Sequence, residues 1–214
     1  MRLYTLLVEH PIVLSPGKIL AVAKERHVQA LILRSFPSGE NDCVYRLLTE
    51  TEGKISVIAK GVKRSKRRFS ALPEPFDVGQ AEIRTGRGDL SLFNGFVPTT
   101  TLLPLRESLD RFTVACILCE SFDALVHEDM AEHHSDLYHA AVDGLRTLGD
   151  MHCGSEELFM SAAHTLRRLM RLTGYLEERR DQQRLQPKEE WNWSVSKIEE
   201  ILERKLKSRS CFTA

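Results

Sequence analysis

The densest chemistry in the chain is a run of cations. Lys60-Gly61-Val62-Lys63-Arg64-Ser65-Lys66-Arg67-Arg68-Phe69 has six basic residues in its first nine and no acidic one. Clustered cations release counterions from a phosphate backbone, and that release drives sequence-independent nucleic-acid binding. Val62 and Phe69 interleave apolar surface with the charge. A charge run is equally what a solvated loop looks like, so the stretch alone leaves both readings open. Arg87 adds a cation within Gly86-Arg87-Gly88-Asp89, a tetrapeptide suited to a hairpin turn. Arg167, Arg168 and Arg171 form a second group beside a leucine stripe. They are either a solvated helix face or a docking surface for an acidic peptide. The basic Lys205-Leu206-Lys207-Ser208-Arg209 also fits simple complementarity to a helix C-terminus.

Other chemistries lack their residues. The sequence contains no GxxxxGK[ST], no GxGxxG opening a helix, no HExxH and no GxSxG. No nucleophile can be paired with a base, so a non-enzymatic protein without cofactors is expected. Cys116-Ile117-Leu118-Cys119 has the spacing of half a zinc site, yet no second pair completes it and both sulfurs fall on an apolar stripe. Core packing is the expected role, and no metal. His127, His133, His134 and His139 with Asp136 match no compact ligand set and read as a polar turn.

The elements that must position these residues change character along the chain. Val28–Ser35, Cys43–Glu50, Ile55–Val62, Phe76–Thr85 and Leu90–Val97 read as five short strands. Pro37–Asp42, Glu52-Gly53 and Gly86–Asp89 punctuate them as turns. Five strands without a long intervening helix predict a small barrel, a fold whose faces and loops hold oligonucleotides. Beyond Pro104 the period shifts to three and four. Leu105, Leu109, Phe112, Cys116, Cys119, Phe122 and Val126 predict one helix face, and Tyr138, Val142 and Leu145 a second. A third helix opens at Ser155, carries Leu158, Ala162, Leu166, Leu169 and Leu172 inward, and stops at Gly174. A fourth is expected from Ser196, with Glu199 completing a capping box, Ile198, Leu202 and Leu206 buried and Trp191 just ahead. The expected class is therefore α+β. Its parts are an N-terminal extension (1–27), an oligonucleotide-binding (OB) barrel (28–104) and an all-α region (105–214).

Bulk composition narrows the function classes. The chain has 214 residues, 42% hydrophobic and 28% charged, enough to bury a core without staples. Thirty basic residues balance thirty acidic ones, but unevenly: residues 28–105 carry 11 basic and 8 acidic, whereas 106–161 carry 3 and 12. This asymmetry assigns different partners to different regions. Five scattered cysteines suit reduced thiols, and the N-terminal apolar stretch is interrupted at Glu9-His10-Pro11, so a cytoplasmic protein is expected.

One resemblance gathers the motifs. Gly39-Glu40-Asn41-Asp42, then Leu47-Leu48-Thr49-Glu50 with Gly53-Lys54-Ile55, then Ala59-Lys60-Gly61, a basic loop and Pro75-Phe76 resemble the N-terminal domain of the RecO family of bacterial recombination mediators. Gly86–Leu90 resembles that family's last hairpin; Leu169–Tyr175 and Leu206–Phe212 resemble its helical domain and tail. The resemblance implies a protein of DNA repair and recombination that binds single- and double-stranded DNA and anneals complementary strands. It also implies engagement of the acidic C-terminal tail of single-stranded DNA-binding protein, and loading of recombinase together with RecR. DNA contacts are expected at Lys60, Lys63, Arg64, Lys66, Arg67, Arg68 and Arg87, and the acidic tail at Arg167, Arg168 and Arg171. Many members carry a four-cysteine zinc module after the Gly-Tyr of the third helix. Tyr175 to Trp191 here contains no cysteine, so zinc is not expected. A rival from another class is a protein-interaction adaptor whose basic loop is only solvated.

Overall fold

The computed structural model describes residues 25–64, 69, 72–85, 90–100, 102–127, 130–151, 155–177 and 185–212. Strands β1 (Glu25–Ser38), β2 (Asp42–Thr49), β3 (Gly53–Ala59), β4 (Val78–Arg84) and β5 (Ser91–Thr100) close a barrel in the order β1-β2-β3-β5-β4. Helices α1 (Leu109–Leu125), α2 (His134–Asp150), α3 (Ser155–Leu172) and α4 (Pro187–Ile201) follow, and a 3-10 turn spans Lys207–Phe212. The expected α+β order of barrel, then helices, is what folds. Among the described residues no helix is long and apolar enough to cross a membrane.

Closure depends on β1. Its first half pairs antiparallel with β4 (Glu25–Leu31) and its second half with β2 (Ala30–Ser38). The register shifts between Ile32 and Arg34, and a bulge of this kind bends a strand so that it can serve two neighbours. β3 meets β5 in parallel at Val57–Ser91 and Ile58–Leu92, which completes the ring.

Two cores share that strand. Val28, Ala30, Ile32, Tyr45, Leu47, Val57, Ile83 and Phe93 fill the barrel. Phe69 plugs it, with its ring centroid 5.2 Å from that of Phe93. Leu31, Leu33, Leu48, Phe76 and Val78 instead face the helices and join a core containing Val114, Phe122, Leu145, Leu166 and Trp191. An apolar run at Ala30–Leu33, rather than strict alternation, follows from burial on both faces.

The helices depart from expectation in two places. α1 does not bury a single stripe. Leu109 is 75% exposed and Phe112 42%, whereas Val114, Ile117, Leu118 and Leu125, off the expected stripe, are buried. α1 packs against β1, α2, α3 and the terminal 3-10 turn, and a helix surrounded on most sides is apolar around most of its girth. α4 begins at Pro187, not Ser196: its capping box is Gln186 with Glu189, so Trp191 lies inside the helix and Leu206 beyond it. α3 ends as predicted, with Gly174 at φ +77° and Tyr175 N–H donating to Met170 O at 2.8 Å.

Candidate nucleic-acid interface

The basic loop leaves β3 in a tight turn fastened to the β1–β2 turn. Gly61 N–H donates to Asp42 Oδ1 at 2.8 Å, and Lys63 N–H to Asn41 O at 3.1 Å. Gly61 sits at φ +66°, a left-handed conformation that favours glycine. The Asp42 carboxylate thus accepts from the loop's backbone, and Lys60, Lys63 and Arg64 remain exposed. Lys66, Arg67, Arg68 and Arg87 lie outside the described residues.

Beside this turn is a strand face that sequence reasoning missed. Arg34 is the register partner of Arg46, and Phe36 of Val44, so these residues share the outward side of β1–β2. Arg34 is exposed, with its guanidinium 5.6 Å from the centroid of Phe36. On β3, Ser56 pairs with Arg46 and continues the face. The available signal was arithmetic: the hairpin pairs 34 with 46, 36 with 44 and 38 with 42, symmetric about the Gly39–Asn41 turn. An aromatic among cations offers a base both a stacking surface and a charge for its phosphate.

The β4 flank carries a pair of carboxyls. On β4, Glu82 shares a hydrogen bond with Glu25 of β1, which holds the Glu82 carboxyl above its ordinary range and Glu25 below it. At the β3–β5 seam a polar cleft of about 360 Å³ opens between Arg26, Lys54, Ser56 and Leu90, and Arg26 pairs with Glu52 at 2.6 Å. Exposed cations thus gather along β1–β2 and the turn after β3, while on the β4 side Glu25 and Glu82 lie beside Arg84 and His27.

The helical residues singled out by sequence fall into different surroundings. Arg167 is not on a solvated face: it is buried, ion-paired with buried Glu190, and its guanidinium lies 4.3 Å from the Trp193 ring centroid. Burial takes it out of reach of an acidic peptide. Arg168, 3.8 Å from Asp143, and Arg171 are exposed. Cys119 is buried in the helical core, which pushes its thiol pKa up, and Cys116 is half-buried beside it. Among the described residues, no three or more His, Cys, Asp or Glu side chains are arranged to hold a metal. The histidines instead lace α2 to the β2–β3 turn. His139 Nε2 lies 3.2 Å from Glu50, His134 Nδ1 is 3.4 Å from Thr51 O, and the His134 ring packs on Gly53.

A closed five-stranded barrel with this order, followed by helices, defines an OB-type domain. Residues 19–101 match the family described as Recombination protein O N terminal, so the barrel belongs to the RecO N-terminal domain family. The chain is also similar to curated relatives called DNA repair protein RecO. It is 32% identical to that of Nocardioides sp. over 124 residues, 56% of this chain and 49% of the relative. With that of Cutibacterium acnes identity is 31% over 121 residues, again 56% and 49%. With that of Clostridium perfringens it is 30% over 145 residues, 68% and 56%. The chain spans about half the length of the curated relatives it matches. The resemblance drawn from the turn and strand motifs holds.

Proposed function

We propose that the chain is a non-enzymatic, DNA-binding recombination mediator acting in the repair of DNA damage. It binds single- and double-stranded DNA along the β1–β2–β3 face and the Lys60–Arg68 loop, with Arg87 from the neighbouring hairpin, and it anneals complementary strands without a cofactor. The barrel handles DNA. The helical region meets partners: RecR, with which recombinase is loaded, and the acidic tail of single-stranded DNA-binding protein, for which Arg168 and Arg171 are the accessible cations. The observation that carries this reading is the adjacency of exposed Lys60, Lys63 and Arg64 to exposed Arg34 and half-buried Phe36 on one side of the barrel.

The reading is tested by annealing complementary oligonucleotides in the absence of nucleotide, and by measuring single-strand affinity against salt. With four or five phosphate contacts, log affinity falls against log salt with a slope of about −3 to −4. Replacing Lys63, Arg64, Lys66, Arg67 and Arg68 by Ala flattens that slope and weakens binding alike for all base sequences, because phosphate contacts carry no sequence information. A folded quintuple variant with wild-type affinity and slope would return the loop to the status of solvated charge.

A further inference from the structure

A carboxylate stands among the cations of the barrel face. Asp42 pairs in register with Ser38 of β1 and shares the side of β2 that carries Arg46, four residues on. By charge alone it is a defect, because a negative group there repels the phosphates that Arg34, Lys63 and Arg64 would attract. Its hydrogen bond gives it another role. Asp42 Oδ1 accepts from the Gly61 N–H at 2.8 Å. Lys63 N–H donates to Asn41 O and Arg64 N–H to Gly61 O, both at 3.1 Å. Within the turn so fixed, Val62 is 5% exposed and packs in the barrel core, whereas Lys63 and Arg64 are exposed. The turn puts its apolar residue inside and its two cations outside.

We propose that Asp42 is a positioning residue for DNA binding, an inference that rests on the DNA-binding reading above. Through Gly61 it holds Lys63 and Arg64 on the side of the barrel that carries Arg34. Glycine has more backbone freedom than any other residue, so a turn built on Gly61 needs an outside bond to keep one shape. Asp42 supplies that bond from a strand whose own register is fixed by β1 and β3. Groups ordered before binding need not be ordered during it, and affinity gains by the difference. Charge and positioning predict opposite signs. If Asp42 acts only as a negative charge, its removal tightens DNA binding. If it positions the turn, removal of its acceptor weakens binding, although the face becomes more positive.

The test measures binding of fluorescein-labelled oligo(dT) to the full chain by anisotropy, across a series of salt concentrations. With a salt exponent of about 0.7 per contact, each phosphate contact is worth about fivefold in affinity at about 0.1 M salt. Asp42→Ala should therefore weaken binding at least about fivefold and lower the salt slope by about 0.7 to 1.4. Asp42→Asn keeps a carbonyl acceptor and drops the charge, so it should bind at least as tightly as the unaltered chain. In a chain already carrying Lys63→Ala and Arg64→Ala, Asp42→Ala should weaken binding no further, because its effect runs through those two residues. If Asp42→Ala fails to fold, Gly61→Ala carries the test. A Cβ there meets open space but strains the left-handed turn, and no charge changes, so weaker binding and a lower slope are again expected. Unchanged or tighter binding by Asp42→Ala, with the unaltered chain's salt slope intact, would overturn the positioning role and leave the DNA-binding reading standing. Equal weakening by Asp42→Ala and Asp42→Asn would do the same, as would a loss that persists without Lys63 and Arg64. An unaltered chain that binds no oligo(dT) would remove both readings.

Discussion

On the barrel, Arg34, Lys60, Lys63 and Arg64 stand exposed along one side, whereas Arg167, Arg204, Lys205 and Arg209 of the helical region close onto carboxylates. Arg167 pairs with Glu190, Arg204 donates to Glu120, and Lys205 and Arg209 both donate to Glu199. The same residue types therefore do different work. Exposed charges in a row hold their potential for a ligand, while charges paired with acids hold the chain to itself. A basic count along the sequence does not distinguish the two; burial of the partner does.

The largest effect that tests this contrast is expected at Arg167. Arg167→Ala leaves Glu190 buried and unpaired, and breaking a buried pair from one side costs about 3–5 kcal/mol, read as a large fall in Tm. Replacing both partners, by Arg167→Met with Glu190→Leu, should recover most of the loss, because the penalty lies in the abandoned charge. If the single variant melted like wild type, the helical cations would be as dispensable as those of the barrel.

A smaller loss is expected at Gly53. It sits at φ +66°, and a Cβ there would lie 2.4 Å from His134 Nε2. Gly53→Ala should cost about 1–2 kcal/mol from backbone conformation alone, with displacement of His134 in addition. Chemical denaturation of Gly53→Ala, alone and combined with His134→Ala, separates the two contributions.

Acid should act on the helical side. Burial pushes the carboxyls of Glu120 and Glu199 up. Hydrogen bonds from Ser208 and Lys207 to Glu120, and from Lys205 and Leu206 to Glu199, outweigh it and hold both below the usual range. A carboxyl depressed in the folded state stabilises it fully above the unfolded value of about 4.3, and that stabilisation is lost as pH falls through the folded value. Stability against urea should therefore decline below about pH 4.3, and less steeply in Glu120→Gln or Glu199→Gln. Equal decline in those variants would place the acid sensitivity elsewhere.

The smallest stability effect belongs to the loop. Lys63→Ala with Arg64→Ala should alter stability by less than about 0.5 kcal/mol, yet reduce the salt slope of DNA binding by about 1.4, or 0.7 per lost contact. A drop in Tm comparable to that of Arg167→Ala would erase the distinction between the two regions.

The barrel was legible because its information is local. Turn residues at Gly39 and Gly53 set the β1–β2 and β2–β3 hairpins, and each hairpin fixes its own register. The bulge at Ile32–Arg34 has no such marker, so the cationic face escaped notice although its residues alternate plainly. In the helical region the missing information is long-range. Arg167 looks like any polar-face arginine until Glu190 and Trp193 arrive from a helix some twenty residues later. The Ser196–Glu199 pattern imitated a capping box from inside α4, where Ser196 is exposed. Pro187 at the first turn with Glu189 and Glu190 was the better start signal, obscured because Gln186 is not a favoured cap.

The double-sided burial of β1 has a consequence for how the molecule comes apart. A fragment ending at residue 104 would keep Val28, Ala30 and Ile32 inside the barrel but leave Leu31, Leu33, Leu48, Phe76 and Val78 as an uncovered greasy wall. Contiguous apolar patches of that kind drive aggregation. The helices, equally, would lose the surface against which α1 is laid. Barrel and helices are thus two shapes but one melting unit, expected to cross a single cooperative transition, and a protease that nicks the connector should yield insoluble halves rather than two working pieces.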